Sequence, residues 1–260
     1  DTLVRLDLIF NLVHGTIGEN GQLAAIWELM DIPFSSCDSY SAALTFNKRD
    51  CLSVLREWQI PTANHFTVDQ GDILDANAII TKVGLPCFVK ANRAGSSFGV
   101  YKVSRKEDLI PSIEKAFAED SQILIESALN GREFSVGVVA FDNEIQVLPI
   151  TEITTENDFF DYAAKYEGQS EEITPAMISE DWEKSLIDLS RKIYAKMGLK
   201  GIVRSEYIVV ENVPHLLEIN SVPGMTAKSI VPQQVEALGL GLSEFFTKIL
   251  FQTLLHHKTI

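Results

Sequence analysis

Two short runs late in the chain constrain it most. Residues 202–210 (IVRSEYIVV) and 215–220 (HLLEIN) both read as strands, with a polar break, Glu211-Asn212-Val213-Pro214, between them. A hairpin centred near Asn212 and Val213 sets Glu206 almost opposite Glu218. Successive side chains on a strand point to opposite faces, so Arg204 goes with Glu206, and Glu218 with Asn220. One face then carries two carboxylates, an amide oxygen and a guanidinium. Adjacent carboxylates repel, which raises the pKa of one of them unless a cation neutralises the pair. An all-oxygen donor set suits magnesium better than zinc or copper. A polar outer face of an antiparallel sheet is the plainer account of a single glutamate. The ordered run of acid, acid-x-amide and then Pro223-Gly224 is much rarer than that.

Composition narrows the partners. A chain of 260 residues has room for two core-bearing units, or three small ones. With 46% hydrophobic and 22% charged residues it has the make-up of an ordinary soluble globular protein. The net charge of −14, without any basic run, argues against a general binder of nucleic acid or of anionic membranes. No apolar run approaches the length of a membrane span, and the start carries no secretory signal. Cys37, Cys51 and Cys87 are odd in number and lack CxxC spacing, as expected for reduced structural thiols of a cytoplasmic protein. From Asp1 the chain runs almost at once into a buried-strand pattern at 6–13 (LDLIFNLV), as if an α/β unit had lost its beginning.

That strand feeds His14-Gly15-Thr16-Ile17-Gly18-Glu19-Asn20-Gly21 and then a helix from about Leu23 to Met30. Strand, Gly-rich turn and helix is the α/β crossover order, although three glycines equally suit a plain tight turn. A helix is expected from about Ser41 to Gln59, carrying Asn47-Lys48-Arg49. Residues 85–91 (LPCFVKA) form an apolar strand interrupted by Lys90, and a charge placed there is costly without a partner. The small-residue loop that follows, Asn92 to Gly99, can fold over phosphates with its N–H groups and hydroxyls, or can be a flexible hairpin loop. A helix at about 106–119 precedes a strand, link and strand around Glu126, Leu129 and Glu133, which has the form of a hinge able to read an adenine. Strands are expected at 134–140 and 144–150. Residues 152–176 are long, polar and aromatic-studded without clear periodicity, with Lys165 and Tyr166 in their middle, and read as a lid. Helices at about 179–197, 230–238 and 243–255 complete the chain.

Taken in order, these segments resemble the D-alanine–D-alanine ligase family of the ATP-grasp superfamily. The motifs that carry the resemblance are HGTIGENG at 14–21, ALTFNKRD at 43–50, FVKANRAGSSFGVYKV at 88–103, ESALNGREFSV at 126–136, FFDYAAKY at 159–166 and LLEINSVPGMTAKSIVP at 216–232. It implies an α/β (α+β) ATP-grasp fold with the remnant of an N-terminal Rossmann-like parallel-sheet domain. Three units are expected: 1–40 on the substrate side, a central lobe at 41–130 with the phosphate-covering loop, and a C-terminal lobe at 131–260 with lid and metal site. Lys48 and Lys90 match the lysines that contact ATP phosphates, Ser96 and Ser97 lie in the covering loop, and Lys165 matches a lid lysine. Glu126, Leu129 and Glu133 match adenine and ribose contacts. Glu206, Glu218 and Asn220 match the ligands of two magnesium (or manganese) ions, Asn220 also facing the nucleotide. His14, Tyr166, Arg204, Gly224 and Ser229 fall where the family binds and orients two D-alanines.

The implied reaction makes D-alanyl-D-alanine for peptidoglycan precursors. ATP phosphorylates the first D-alanine, and the amine of the second attacks the acyl phosphate. Arg204 and the Gly224 N–H would stabilise the oxyanion, while Ser96 and Tyr166 would link loop and lid over the closed site. The family is commonly a cytoplasmic homodimer. The chain departs from the pattern in lacking the first part of the N-terminal domain, in Glu206 where many relatives have Asp, and in Ala91 where proline is common. Two rivals stand beside this reading: a ligase taking D-lactate or another amino acid second, which Tyr166 disfavours, and a nucleotide-binding module without ligase activity.

Overall fold

The computed structural model describes residues 5–95, 98–142, 144–155 and 170–257. Two antiparallel sheets face each other across a cleft. The smaller has four strands in the order β1-β4-β2-β3, from β1 (His65–Asp69), β2 (Cys87–Ala91), β3 (Val100–Val103) and β4 (Gln122–Ser127). The larger runs β10-β9-β5-β7-β8 with β6 also on β5, from β5 (Arg132–Phe141), β6 (Glu144–Val147), β7 (Thr151–Thr155), β8 (Ser170–Ile173), β9 (Ile202–Val210) and β10 (Val213–Asn220).

Helices α1 (Gln22–Leu29), α2 (Ser39–Phe46), α3 (Lys48–Glu57), α4 (Ala76–Val83), α5 (Leu109–Ala116), α6 (Glu180–Lys196), α7 (Ile230–Ala237) and α8 (Leu242–His257) pack on the sheets. Their starts follow from capping chemistry: Asp38, Asn47, Asp75 and Ser179 each accept a hydrogen bond from an otherwise orphaned N–H of the first turn. In α6, acids crowd the first turn and Lys196 closes the last, matching the helix dipole.

Strand parity sets the cores. Phe134, Val136 and Val138 of β5 join Leu55, Leu186, Ile193 and Tyr207 in a core that α2, α3 and α6 cover. Val139 and Phe141 point the other way, to Val231, Val235 and Phe245 of α7 and α8. The smaller sheet has its own core, with Val89 and Ile125 packed on Ile79, Leu109 and Ile113. Among the described residues no single helix is long and apolar enough to cross a membrane.

Several sequence expectations are revised. The strand at 6–13 is reduced to one parallel bridge, Ile9 to Phe34, with Leu6, Leu12 and Val13 exposed; Ile9 exchanges backbone hydrogen bonds with Pro33 and Ser35, and Asn11 N is taken up by Ser35 Oγ rather than by a strand partner. The helix from 41 to 59 is two helices. Asn47 leaves helical geometry (φ −86°, ψ 96°) and its Oδ1 accepts from Asp50 N, so the chain restarts a helix there. The segment 152–176 is not irregular throughout: its ends form β7 and β8, where Ile153 is buried and Glu152 pairs with Ile173. Strand β1 and helix α4 occupy a stretch to which the sequence reading gave no element.

Candidate active site

The hairpin of β9 and β10 is the foundation. Glu211 and Asn212 turn the chain with positive φ (49° and 67°), one residue earlier than expected. A regular ladder from that turn would set Leu217 opposite Glu206. A β-bulge after Leu216 inserts one extra residue, so Glu218 pairs with Glu206 and Asn220 with Arg204. The bulge also places consecutive residues on one face: Leu217 and Glu218 both line the cleft while Leu216 and Ile219 are buried in the core.

Positive charge surrounds these carboxylates. Arg204 Nε lies 2.7 Å from Glu206 Oε1, both nearly buried. Burial works against the Arg204 charge, but Glu206, Glu218 and Glu19 together more than offset it, so it stays a cation. Lys48 Nζ stands 3.9 Å from Glu218 Oε2 and donates to Ala94 O at 2.7 Å. Lys48 reaches this point because it opens α3, which Asn92 locks in place: Asn92 Oδ1 accepts from Arg49 N, and its amide donates to Asn47 Oδ1. The base of the 92–99 loop and the first turn of α3 are therefore one unit.

Lys90, on β2, forms an ion pair of 2.6 Å with Glu126 Oε2 on β4. Burial pushes the Lys90 pKa down, and the carboxylates of Glu126, Glu218 and Glu133 bring it above its ordinary value. Glu126 is 2% exposed, and among the described residues its other oxygen has no hydrogen-bond partner. A buried acceptor left open in a cleft wall suits an incoming N–H donor.

These residues line two adjoining clefts. The larger encloses about 910 Å³ counted out to open solvent, and is bounded by Lys48, Lys90, Glu126, Leu129, Glu133, Glu206 and Glu218, with Phe88, Ile208 and Leu217 supplying apolar walls. A few convergent charged groups set among apolar walls have the character of a small-molecule site. The smaller holds His14, Arg204 and Asn220, and it shares Lys48, Ala94 and Glu218 with the first. Glu218 thus stands at the junction of a long, partly apolar cleft and a compact polar one.

The polar cleft contains a residue that sequence reasoning missed. Glu19 is 4% exposed, accepts from Gly15 N (2.7 Å) and Val222 N (3.2 Å), and lies 3.3 Å from His14 Nδ1. Burial raises its pKa, and His14, those N–H groups and Arg204 pull against the rise. Its signal was present: a carboxylate inside a glycine-bounded turn, next to a segment with apolar flanks. His14 meets Val222 O at 2.9 Å, so this turn grips the loop after β10. That loop carries Gly224, and Ser229 closes it by accepting from Thr226 N and sharing a hydrogen bond with Thr226 Oγ1. Neither Gly224 nor Ser229 lines the two clefts, but a side chain added at Gly224 would stand 3.1 Å from Ser229 Oγ. Ser96, Ser97, Lys165 and Tyr166 lie outside the described residues.

The donor set fits magnesium. Glu206 and Glu218 are adjacent across the ladder, Asn220 Nδ2 is buried without a hydrogen-bond partner among the described residues, and every donor is an oxygen once the amide is oriented for it. Among the described residues, no three His, Cys, Asp or Glu side chains gather as a closed cage. Magnesium commonly takes one or two carboxylates and completes its shell with phosphate and water.

Comparison with known proteins agrees with this geometry. The family model described as the D-ala D-ala ligase C-terminus matches residues 54–251. A protein named D-alanine–D-alanine ligase from Flavobacterium johnsoniae is 51% identical over 244 residues, which cover 94% of this chain and 76% of that protein. Its counterpart in Christiangramia forsetii is 49% identical over 246 residues, covering 95% and 76%. Among solved structures, the D-alanine–D-alanine ligase of Bacillus anthracis complexed with ATP superposes with a TM-score of 0.84 at 26% identity, covering 97% of this chain and 81% of that one. The VanG D-Ala:D-Ser ligase of Enterococcus faecalis superposes with a TM-score of 0.85 at 30% identity, covering 97% and 74%. With sequence match, coverage and the two-sheet cleft in agreement, the chain belongs to the D-alanine–D-alanine ligase family and has its ATP-grasp fold.

Proposed function

We propose that this chain is an ATP-dependent ligase that joins two D-alanines into D-alanyl-D-alanine for peptidoglycan precursors. One observation carries the reading: the long cleft and the polar cleft meet at Glu218 and Lys48, where a triphosphate tail would face an amino acid. In the long cleft, adenine would lie between Leu129, Leu217, Ile208 and Phe88, its exocyclic amine donating to Glu126, with Glu133 at the ribose. Lys48 and Lys90 would hold the phosphates, with Ser96, Ser97 and Lys165 covering them.

When bound, magnesium supplies charge neutralisation and in-line positioning of the β- and γ-phosphate oxygens, and Glu206, Glu218 and Asn220 would hold it. The two-ion arrangement is part of the proposal. A carboxylate is a poor electrophile at neutral pH, so the first D-alanine must become an acyl phosphate before the second can attack. Arg204, held along β9 against Glu206 and lining the polar cleft, would meet the negative charge that develops, and the Gly224 N–H would be a second donor for that oxyanion. Preorganised donors of this kind contribute about 3–4 kcal/mol to the barrier each. His14, fixed by Val222 and Glu19, orients the amino acid. Ser229 and Tyr166 would serve the acceptor side, as the family resemblance implies.

The family resemblance supports a homodimer. Three buried free thiols, Cys37, Cys51 and Cys87, support a reducing, cytoplasmic setting. The likeness to a D-Ala:D-Ser ligase favours a second reading, in which D-serine is the acceptor. Release of ADP and dipeptide from ATP, magnesium and D-alanine, with D-serine, D-lactate and L-alanine as competitors, tests both. Dipeptide from D-alanine alone supports the first reading. Preferential mixed product with D-serine supports the second, and ATP binding without product overturns both.

A further inference from the structure

Two adjacent glutamines on α7 do work that the proposed reaction does not yet use. Gln234 is fully buried. Its Oε1 accepts from Gly137 N at 3.1 Å, and its Nε2 donates to Ser135 O at 2.9 Å and to Thr151 Oγ1 at 3.1 Å. This is where β5 changes partner along one edge, from β7 at Glu133–Ser135 to β6 at Val138–Phe141. A primary amide presents C=O and N–H much as a peptide group does, so Gln234 stands in for a missing stretch of strand. Gly137 makes room for it, since a Cβ there would lie 2.4 Å from Gln234 Oε1. On the other edge of β5, Ser135 and Gly137 are in register with Glu206 and Arg204.

Gln233 reaches elsewhere. Its Nε2 donates to Glu172 Oε2 on β8 at 2.6 Å and to Lys228 O, in the loop before α7, at 3.1 Å. Thr151 and Thr174 share a hydrogen bond of 2.7 Å. The loop from Ser221 to Ser229 is therefore held at its front by His14 and Glu19, through Val222, and at its back by Gln233.

We propose that Gln233 and Gln234 are positioning residues for the amino-acid half of the reaction, fixing the Gly224–Ser229 loop relative to Arg204 and Glu206. Gln233 sets the loop against β8, and Gln234 sets α7 against the strand beside Arg204 and Glu206. Neither touches the nucleotide cleft. The proposal rests on the reading that this loop serves the D-alanine site.

The test uses the whole chain, with KM for D-alanine and for ATP measured separately. Gln233→Met removes the hydrogen bonds to Glu172 and to Lys228 O, and should raise KM for D-alanine about tenfold and leave KM for ATP within about twofold. Gln233→Glu, which faces Glu172 with a like charge, should be worse. Adding Glu172→Gln to it restores a donor and an acceptor to the pair but leaves Lys228 O without its donor, so stability should recover while KM for D-alanine stays raised. Gln234→Met is expected to unfold more readily, so Gln233 carries the test. A folded Gln233→Met enzyme whose two KM values move together, or not at all, overturns the proposal, as does full recovery of D-alanine affinity by the swapped pair, which lacks the donor to Lys228 O. A wild-type chain that binds ATP and makes no dipeptide overturns the underlying ligase reading and this proposal with it.

Discussion

Replacing Lys90 with Met separates what the Lys90–Glu126 pair does for folding from what it does for ATP. The 2.6 Å pair has side chains only 17% and 3% exposed. Methionine keeps most of the methylene stem and removes the charge, together with the ammonium that stands 5.8 Å from the Phe88 ring centroid. Glu126 is then left as a buried carboxylate without its counter-charge. Breaking one side of a buried pair costs about 3–5 kcal/mol, and the open cleft beside it argues for the lower end. For a chain of this size each kcal/mol moves the melting temperature by about 2–4 °C, so Lys90→Met should lower it by about 6–12 °C. The double change Lys90→Met with Glu126→Gln removes both charges and should return stability to within about 1 kcal/mol of wild type, as neutral replacements of buried pairs commonly do.

ATP supplies the second readout. At about 100 times its Kd, a ligand stabilises the folded state by about 2.7 kcal/mol, a rise of about 5–10 °C in melting temperature. Wild type should show that rise with ATP and magnesium by differential scanning fluorimetry, and both variants should show little of it at the same concentration. A double variant as unstable as the single one would refute the electrostatic account. Full ATP protection of the double variant would refute the role of Lys90 at the phosphates.

Deleting Leu217 should leave the fold and the Glu206–Glu218 pairing intact, because the bulge then becomes a regular ladder in the same register; ATP affinity should fall severalfold with the lost cleft wall, and loss of the folded state would contradict this. Asp120 makes a pH prediction. Burial pushes its pKa up, but the Arg93 guanidinium and the N–H groups of Arg93 and Gln122 outweigh this and hold it below the ordinary value. Its stabilisation is therefore complete above the unfolded pKa of about 4 and is lost as pH falls through the lowered folded value. Asp120→Asn should cost about 2 kcal/mol at pH 7 by urea unfolding, with the gap to wild type shrinking below about pH 4. A gap that persists at acid pH would sink that account.

Much of this site was legible before any coordinates. Strand alternation puts Arg204 with Glu206 and Glu218 with Asn220, and a lysine inside an apolar strand needs a partner; both follow from local chemistry. The partner of Lys90 did not, since Glu126 is distant in sequence and meets it only through the β2–β4 ladder. The break at Asn47 has an N-cap signature, an Asn with Asp50 three residues on, inside a stretch expected as one helix from Ser41 to Gln59.

By itself the sequence determined what depends on neighbours a few residues away: which side chains share a strand face, which residues cap helices, and which loops are small enough to approach an anion. Tertiary structure alone decided the bulge that brings Glu218 opposite Glu206, the burial of Glu19 against Val222, and the use of Gln234 in place of strand beside β5 in the gap between β7 and β6. Each of these joins groups brought close by packing rather than by spacing along the chain. Hydrogen-bond demand in a buried sheet is set by what lies alongside, which no local pattern encodes.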